Sequence, residues 1–158
     1  MSKGTLRALL KDPHYKMSFT SQTRAALDIA RGMKYLHNRQ FLHRDPKSDN
    51  CLVNDLDRVK VADFGTSRKL EKQIFLGEAG LTTCQVGDPN DGFGTYIDID
   101  GEPEAANLTK GIGTLLWMAP EIMEGSAKYG QPADVYSFAI VLWEILSRSL
   151  PWEDITSY

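Results

Sequence analysis

The sequence predicts a mainly α-helical domain with a small β component, an α+β fold, and three patterns carry that expectation. Ala26, Ile29, Ala30, Met33 and Leu36 recur at the period of one buried helical stripe. From Val135 to Leu146 nearly every residue is apolar, and the run stands behind Pro132, which suits the first turn of a helix. Between them the period shortens: Cys51-Leu52-Val53 and Val59-Lys60-Val61-Ala62 read as two short strands. The polar stretch Asn54-Asp55-Leu56-Asp57 joins them as a hairpin.

Taken in order, Thr5 can cap a helix of one or two turns over Leu6 to Lys11, with Leu6, Leu9 and Leu10 on one side and Asp12-Pro13 as its stop. Ser18 or Thr20 can cap the longer helix that carries the first stripe to about His37. Phe41-Leu42 precedes a polar, sharply punctuated loop, and the hairpin follows. From Lys69 to Thr109 Gly77, Gly80, Gly87, Gly92, Gly94 and Gly101 stand among Glu78, Asp88, Asp91, Asp98, Asp100, Glu102 and Glu104, which predicts a long, mobile loop. Only Tyr96-Ile97-Asp98-Ile99-Asp100 alternates enough for a strand. Pro120 to Glu124 reads as a short helix with proline at its first position. The last helix, to about Ser147, is apolar nearly all round. Water tolerates such a helix only when other elements surround it, so it is expected to be the central post of the domain.

With 158 residues, 42% hydrophobic and 25% charged, the chain has the make-up of one soluble globular domain. Eighteen basic against 21 acidic side chains give a net charge of -3, and no overall positive field draws nucleic acid or an anionic membrane. The apolar stretch falls short of the roughly 20 residues of a spanning helix, and Met1-Ser2-Lys3-Gly4 opens no secretory signal pattern. Cys51 and Cys84 form neither a disulfide framework nor a C-x-x-C pair, so the expected setting is a reducing, cytoplasmic one.

The chemistry concentrates in His43-Arg44-Asp45-Pro46-Lys47-Ser48-Asp49-Asn50, followed by Asp63-Phe64-Gly65. Phosphoryl transfer needs a carboxylate within reach of the attacking hydroxyl, a cation beside the transferred oxygens, and hard oxygen ligands for magnesium. Asp45, Lys47 and the pair Asn50 and Asp63 can fill those roles. Each triplet alone is a weak signal, and an isolated Asp or Asn in a loop is usually a turn former.

In order, His-Arg-Asp-x-Lys-x-x-Asn, Asp-Phe-Gly and Ala119-Pro120-Glu121 resemble the large lobe of a eukaryotic protein kinase. Gly113-Thr114 with Leu115-Leu116-Trp117-Met118 before the last triplet, and Asp134-Val135-Tyr136-Ser137-Phe138 after it, add to the likeness. Lys47 and Thr114 fit the serine/threonine class, and the wording of the segments is most similar to its tyrosine-kinase-like group.

The resemblance implies a catalytic set of Asp45 as base, Lys47 at the γ-phosphate of ATP, and Thr114 at the catalytic loop and substrate. It implies Leu52 as the floor under adenine, and Asn50 and Asp63 as magnesium ligands. His43 and Phe64 would stack in an apolar spine, while Arg44 would pair with a phosphorylated activation loop. Thr82, Thr83, Thr95, Tyr96 and Thr109 are the candidate phosphoacceptors. A bland reading stays beside several of these: His43 as a packed structural histidine, Asp134 as a helix cap or a ligand of the catalytic-loop backbone. Cys51 reads as a small strand residue, Lys60 as exposed, and Trp117, Trp143 and Trp152 as packing aromatics.

Residues 1–158 would then be a partial kinase domain, its large lobe truncated and its small lobe absent. No G-x-G-x-x-G loop or V-A-I-K strand precedes His43. The implied partners are a protein substrate and a separate small lobe or full-length kinase. Residues 70–112 would be an acidic, Gly-rich insertion that makes the activation segment roughly twice the usual length. Pro46 replaces the family's leucine, removing a backbone donor beside the base. Glu121 is expected to be buried without its usual arginine, a destabilising feature. The expected function is transfer of the ATP γ-phosphoryl group to protein Ser/Thr hydroxyls, and the alternative is a catalytically inactive module that binds substrates or partners.

Overall fold

Hydroxyl caps open both of the early helices. Thr5 accepts a hydrogen bond from Ala8 N–H at 3.2 Å and starts α1, Leu6–Lys11. Ser18, rather than Thr20, does the same for Ser21 N–H and starts α2, Phe19–Asn38. The computed structural model describes residues 1–70, 75–76, 82–83, 96–98, 115–124 and 128–153.

Strand β1, Gly4–Thr5, pairs antiparallel with β3, Cys51–Val53, and β3 pairs with β4, Val59–Val61, in register Cys51 with Val61 and Val53 with Val59. This is the predicted hairpin with one strand added at its edge. A second antiparallel pair joins β2, Phe41–Leu42, to β5, Arg68–Lys69. Loop 43–50 runs from β2 to β3, and loop 62–67 runs from β4 back to β5. Two paired sheets therefore hold the two chemistry-bearing loops side by side.

Helix α2 lies on β4 so closely that a Cβ on Gly32 would meet Val61 Cγ2 at 2.9 Å. After α3, Pro120–Met123, comes β9, Lys128–Gly130, and then α4, Gln131–Ser147. One core gathers Leu6 and Leu10 of α1, Ala25, Ile29 and Met33 of α2, Cys51, Val53 and Val59 of the sheet, Trp117, and Val141 and Ile145 of α4. A smaller cluster of Leu42, Leu70, Ala119 and Ala133 closes the end near loop 43–50.

Several expectations change. Helix α4 is not surrounded: Val135 is 55% and Leu146 64% exposed, and Trp143 shares that face. Of the three tryptophans, Trp117 is core, whereas Trp143 and Trp152 are exposed. Glu121 is exposed as well, so water solvates its carboxylate and the expected burial penalty does not arise. The predicted strand after Tyr96 is β8, Tyr96–Asp98, which pairs with β9. Strands β6, Phe75–Leu76, and β7, Thr82–Thr83, pair with each other inside the stretch read as loop. Most of residues 70–112, including Cys84, Thr95 and Thr109, lies outside the described residues, as does Thr114. Among the described residues no helix is long and apolar enough to cross a membrane.

Candidate active site

Loop 43–50 is fixed from beneath by one carboxylate. Asp134, fully buried in the first turn of α4, accepts Arg44 N–H on Oδ1 and His43 N–H on Oδ2, both at 2.9 Å. The positive end of α4 favours a carboxylate at that place. His37 Nε2 meets the same Oδ2 at 2.9 Å. Of the two readings of Asp134, backbone ligand is the one found, and Gly130 occupies the cap. The clamp holds Arg44 at φ +71°, a left-handed conformation that a long side chain rarely adopts.

His43 is fully buried and structural. Its Nε2 lies 3.0 Å from the Ala62 carbonyl, which can only accept, so the proton sits on Nε2 and Nδ1 accepts from Asp45 N–H at 3.3 Å. The imidazole thereby ties the strand end before Asp63 to the backbone of Asp45. Its ring centroid is 5.6 Å from that of Phe64, tilted by 57°. Thr66 Oγ1 donates to the His43 carbonyl at 3.1 Å and closes the second loop onto the first.

Asp45 Oδ2 receives Lys47 Nζ at 2.6 Å and Asn50 Nδ2 at 3.0 Å. Asn50 Nδ2 also donates to the Asp45 carbonyl at 2.9 Å, and the Asn50 carbonyl accepts from Ala62 N–H at 2.8 Å. Asp45 Oδ1 is buried with no hydrogen-bond donor among the described residues. Among the described groups it is the oxygen left to accept an incoming hydroxyl. Asp63, at φ +62°, is exposed, and its Oδ1 accepts Gly65 N–H at 3.3 Å. Leu52 is half-buried on β3, in register with Thr5.

The structure thus brings Asp45, Lys47 and Asn50 into direct contact, with Asp63 on the adjoining loop. The amide oxygen of Asn50 and the carboxylate of Asp63 are hard ligands of the kind magnesium takes. Among the described residues no three His, Cys, Asp or Glu side chains form a metal-ligand group. Magnesium held by one or two protein ligands plus phosphate and water does not require one.

Sequence reading missed Glu144, the only carboxylate in an otherwise apolar stretch of α4. It is fully buried and accepts three hydrogen bonds: Arg7 Nη1 at 3.1 Å and Ser48 Oγ at 2.8 Å on Oε1, and Trp117 Nε1 at 2.6 Å on Oε2. Burial pushes its carboxyl up from the usual range, against the pull of the three donors. The lone acid was the available signal, but its partners are remote in sequence. Cys51 beside it is pushed up to about 12 by burial and by the charges of Glu144 and Asp49, which makes it an inert thiol.

The family model described as protein kinase domain matches residues 1–158. The serine/threonine/tyrosine-protein kinase HT1 of Arabidopsis thaliana is 42% identical over 158 residues, covering 99% of this chain and 32% of that protein. The serine/threonine-protein kinase STY17 of the same plant is 33% identical over 156 residues, with 99% and 22% covered. A probable LIM domain-containing serine/threonine-protein kinase of Dictyostelium discoideum is 35% identical over 158 residues, with 100% and 19% covered. The chain spans about a third or less of the length of these relatives. With a family match from first residue to last, and the motif residues gathered on two clamped loops, the chain belongs to the protein kinase domain family.

Proposed function

We propose that this chain carries the phosphoryl-transfer loops of a Ser/Thr protein kinase of the tyrosine-kinase-like group. The observation that carries the reading is the Asp45 carboxylate, ion-paired to Lys47 on one oxygen and, among the described residues, without a donor on the other. In the reaction a protein Ser or Thr hydroxyl oxygen bonds to the γ-phosphorus of ATP, the bond to the β-phosphate oxygen breaks, and ADP leaves. The hydroxyl proton goes to Asp45 Oδ1. Lys47 offsets charge on the transferred oxygens, and the fixed loop supplies alignment. Magnesium, held by Asn50 and Asp63, would neutralise the phosphate charge. In the same reading Leu52 lies under the adenine ring and Thr114 steadies the substrate.

Calorimetry of ATP with magnesium against the purified chain tests the nucleotide half of the reading, with Asp63→Ala as control. Binding that disappears in the variant supports it, and a folded chain that binds nothing counts against it. For the transfer step, phosphorylation of a generic protein substrate by the chain, paired with a small lobe if it requires one, should be abolished by Asp45→Asn. Activity that survives that change would remove Asp45 from its role.

A further inference from the structure

We infer that Arg7 of α1 is a positioning residue, which acts through Glu144 to hold the catalytic loop at Ser48 and the segment Leu115–Trp117 in fixed relation to each other.

Glu144 is the meeting point. Its two oxygens take donors from three segments: α1, the turn Ser48–Asn50, and the turn Leu115–Trp117. Ser48 follows Lys47 directly and stands two positions before Asn50, so its place sets theirs. Trp117 lies just before Ala119-Pro120-Glu121, and the neighbouring Leu116 carbonyl accepts Trp152 Nε1–H at 2.9 Å. The second turn is therefore tied at two points, and one of them is the Glu144 carboxylate.

Arg7 is what allows that carboxylate to remain an acceptor for all three donors. A carboxylate this deeply buried takes up a proton unless a cation stands against it. Arg7 is 6% exposed, and its guanidinium stands against the carboxylate at 3.1 Å. Without it, a protonated Glu144 oxygen becomes a donor facing the Ser48 hydroxyl or the Trp117 indole N–H. A proton facing the indole breaks the Trp117 tether, and one facing Ser48 reverses that bond and turns the hydroxyl's own proton away from the carboxyl. A plain structural ion pair would cost stability when broken, yet leave both turns where they are.

This inference rests on the phosphoryl-transfer reading only for what the loop does, and its test needs no catalysis. Amide and indole signals of the 158-residue chain are followed by nuclear magnetic resonance and hydrogen exchange, with Trp117→Phe to assign the indole. Arg7→Met should shift the Trp117 indole signal and speed exchange at Ser48–Asn50 on the order of tenfold. Arg7→Lys, which keeps the charge but not the planar fork, should restore part of both. Asp28→Asn, which breaks the Arg58 bridge at the hairpin turn, should lower the melting temperature without moving either signal. Arg7→Met changes confined to α1 would overturn the inference. Should Arg7→Met fail to fold, Arg7→Lys decides: faster exchange at Ser48–Asn50 supports the coupling, and unchanged exchange there ends it. Loss of nucleotide binding in calorimetry would sink the functional reading while leaving these exchange results intact.

Discussion

Asp28 does from the buried side of α2 what Asp134 does beneath the loop: one helical carboxylate pins a remote turn. Arg58 Nε and Nη2 donate to its two oxygens at 2.7 Å, and Val59 N–H donates at 3.1 Å, which seats the hairpin turn on the helix. These bonds, the Arg58 guanidinium first, hold the Asp28 carboxyl below its ordinary range. Asp57 is lowered in the same way by Lys3 and Tyr15. Between folded and unfolded values the unfolded chain binds more protons. The stabilisation is therefore present above about pH 4 and lost as pH falls through the folded values. Glu144 works in the opposite sense, because its folded value is raised. Its contribution is fully present below the unfolded value and lost as pH rises through the folded one. Urea midpoints from about pH 7 to about pH 3 should show a flatter acid limb for Asp28→Asn than for the parent. Glu144→Gln should lose stability more steeply on acidification, since it lacks the compensating proton uptake.

At the level of elements, the contact between α2 and β4 is the most exacting. Gly32 would ordinarily be a poor choice inside a helix, and alanine there gains about 1 kcal/mol of propensity. The 2.9 Å approach to Val61 reverses the sign, because a β-branched side chain has little rotamer freedom with which to retreat. Overpacking of this kind costs about 1–3 kcal/mol, so Gly32→Ala should destabilise the chain by about 1 kcal/mol net in urea unfolding. Adding Val61→Ala should recover much of the Gly32→Ala penalty beyond what the two changes give separately. Elements with their own local signal were legible in the sequence. The α2 stripe and the caps at Thr5 and Ser18 sit within a few residues of what they govern, and the hairpin closes over one short turn. Strands β1, β2 and β5 were not legible as partners, because two-residue strands carry no period. They exist only where the fold brings a second backbone alongside.

Across the whole molecule the same distinction separates the site. Asp45, Lys47 and Asn50 are neighbours in the chain, so their conjunction could be read from spacing. The Asp134 clamp came into view through resemblance, and the Glu144 junction was invisible because its donors lie 27, 96 and 137 positions away. The outer face of α4 shows the complementary limit: hydropathy alone predicts burial for Val135, Trp143 and Leu146, and the structure leaves them in contact with water. An apolar face of that kind binds hydrophobic dyes in a folded protein. The folded chain should enhance anilinonaphthalene sulfonate fluorescence at neutral pH, and Trp143→Lys with Leu146→Lys should diminish it without lowering the urea midpoint.

The Arg7 to Glu144 bond also has a consequence in time. Nearly the entire chain must be gathered before these two residues can meet, and loop-closure entropy opposes contacts of such long separation until much else has formed. On that ground the carboxylate of α4 should stay hydrated until α1 docks, and in refolding followed by pulsed hydrogen exchange amides 48–50 should gain protection after those of α2. Closure of this junction thus belongs at the end of folding, and the two turns it tethers reach their final positions together with it.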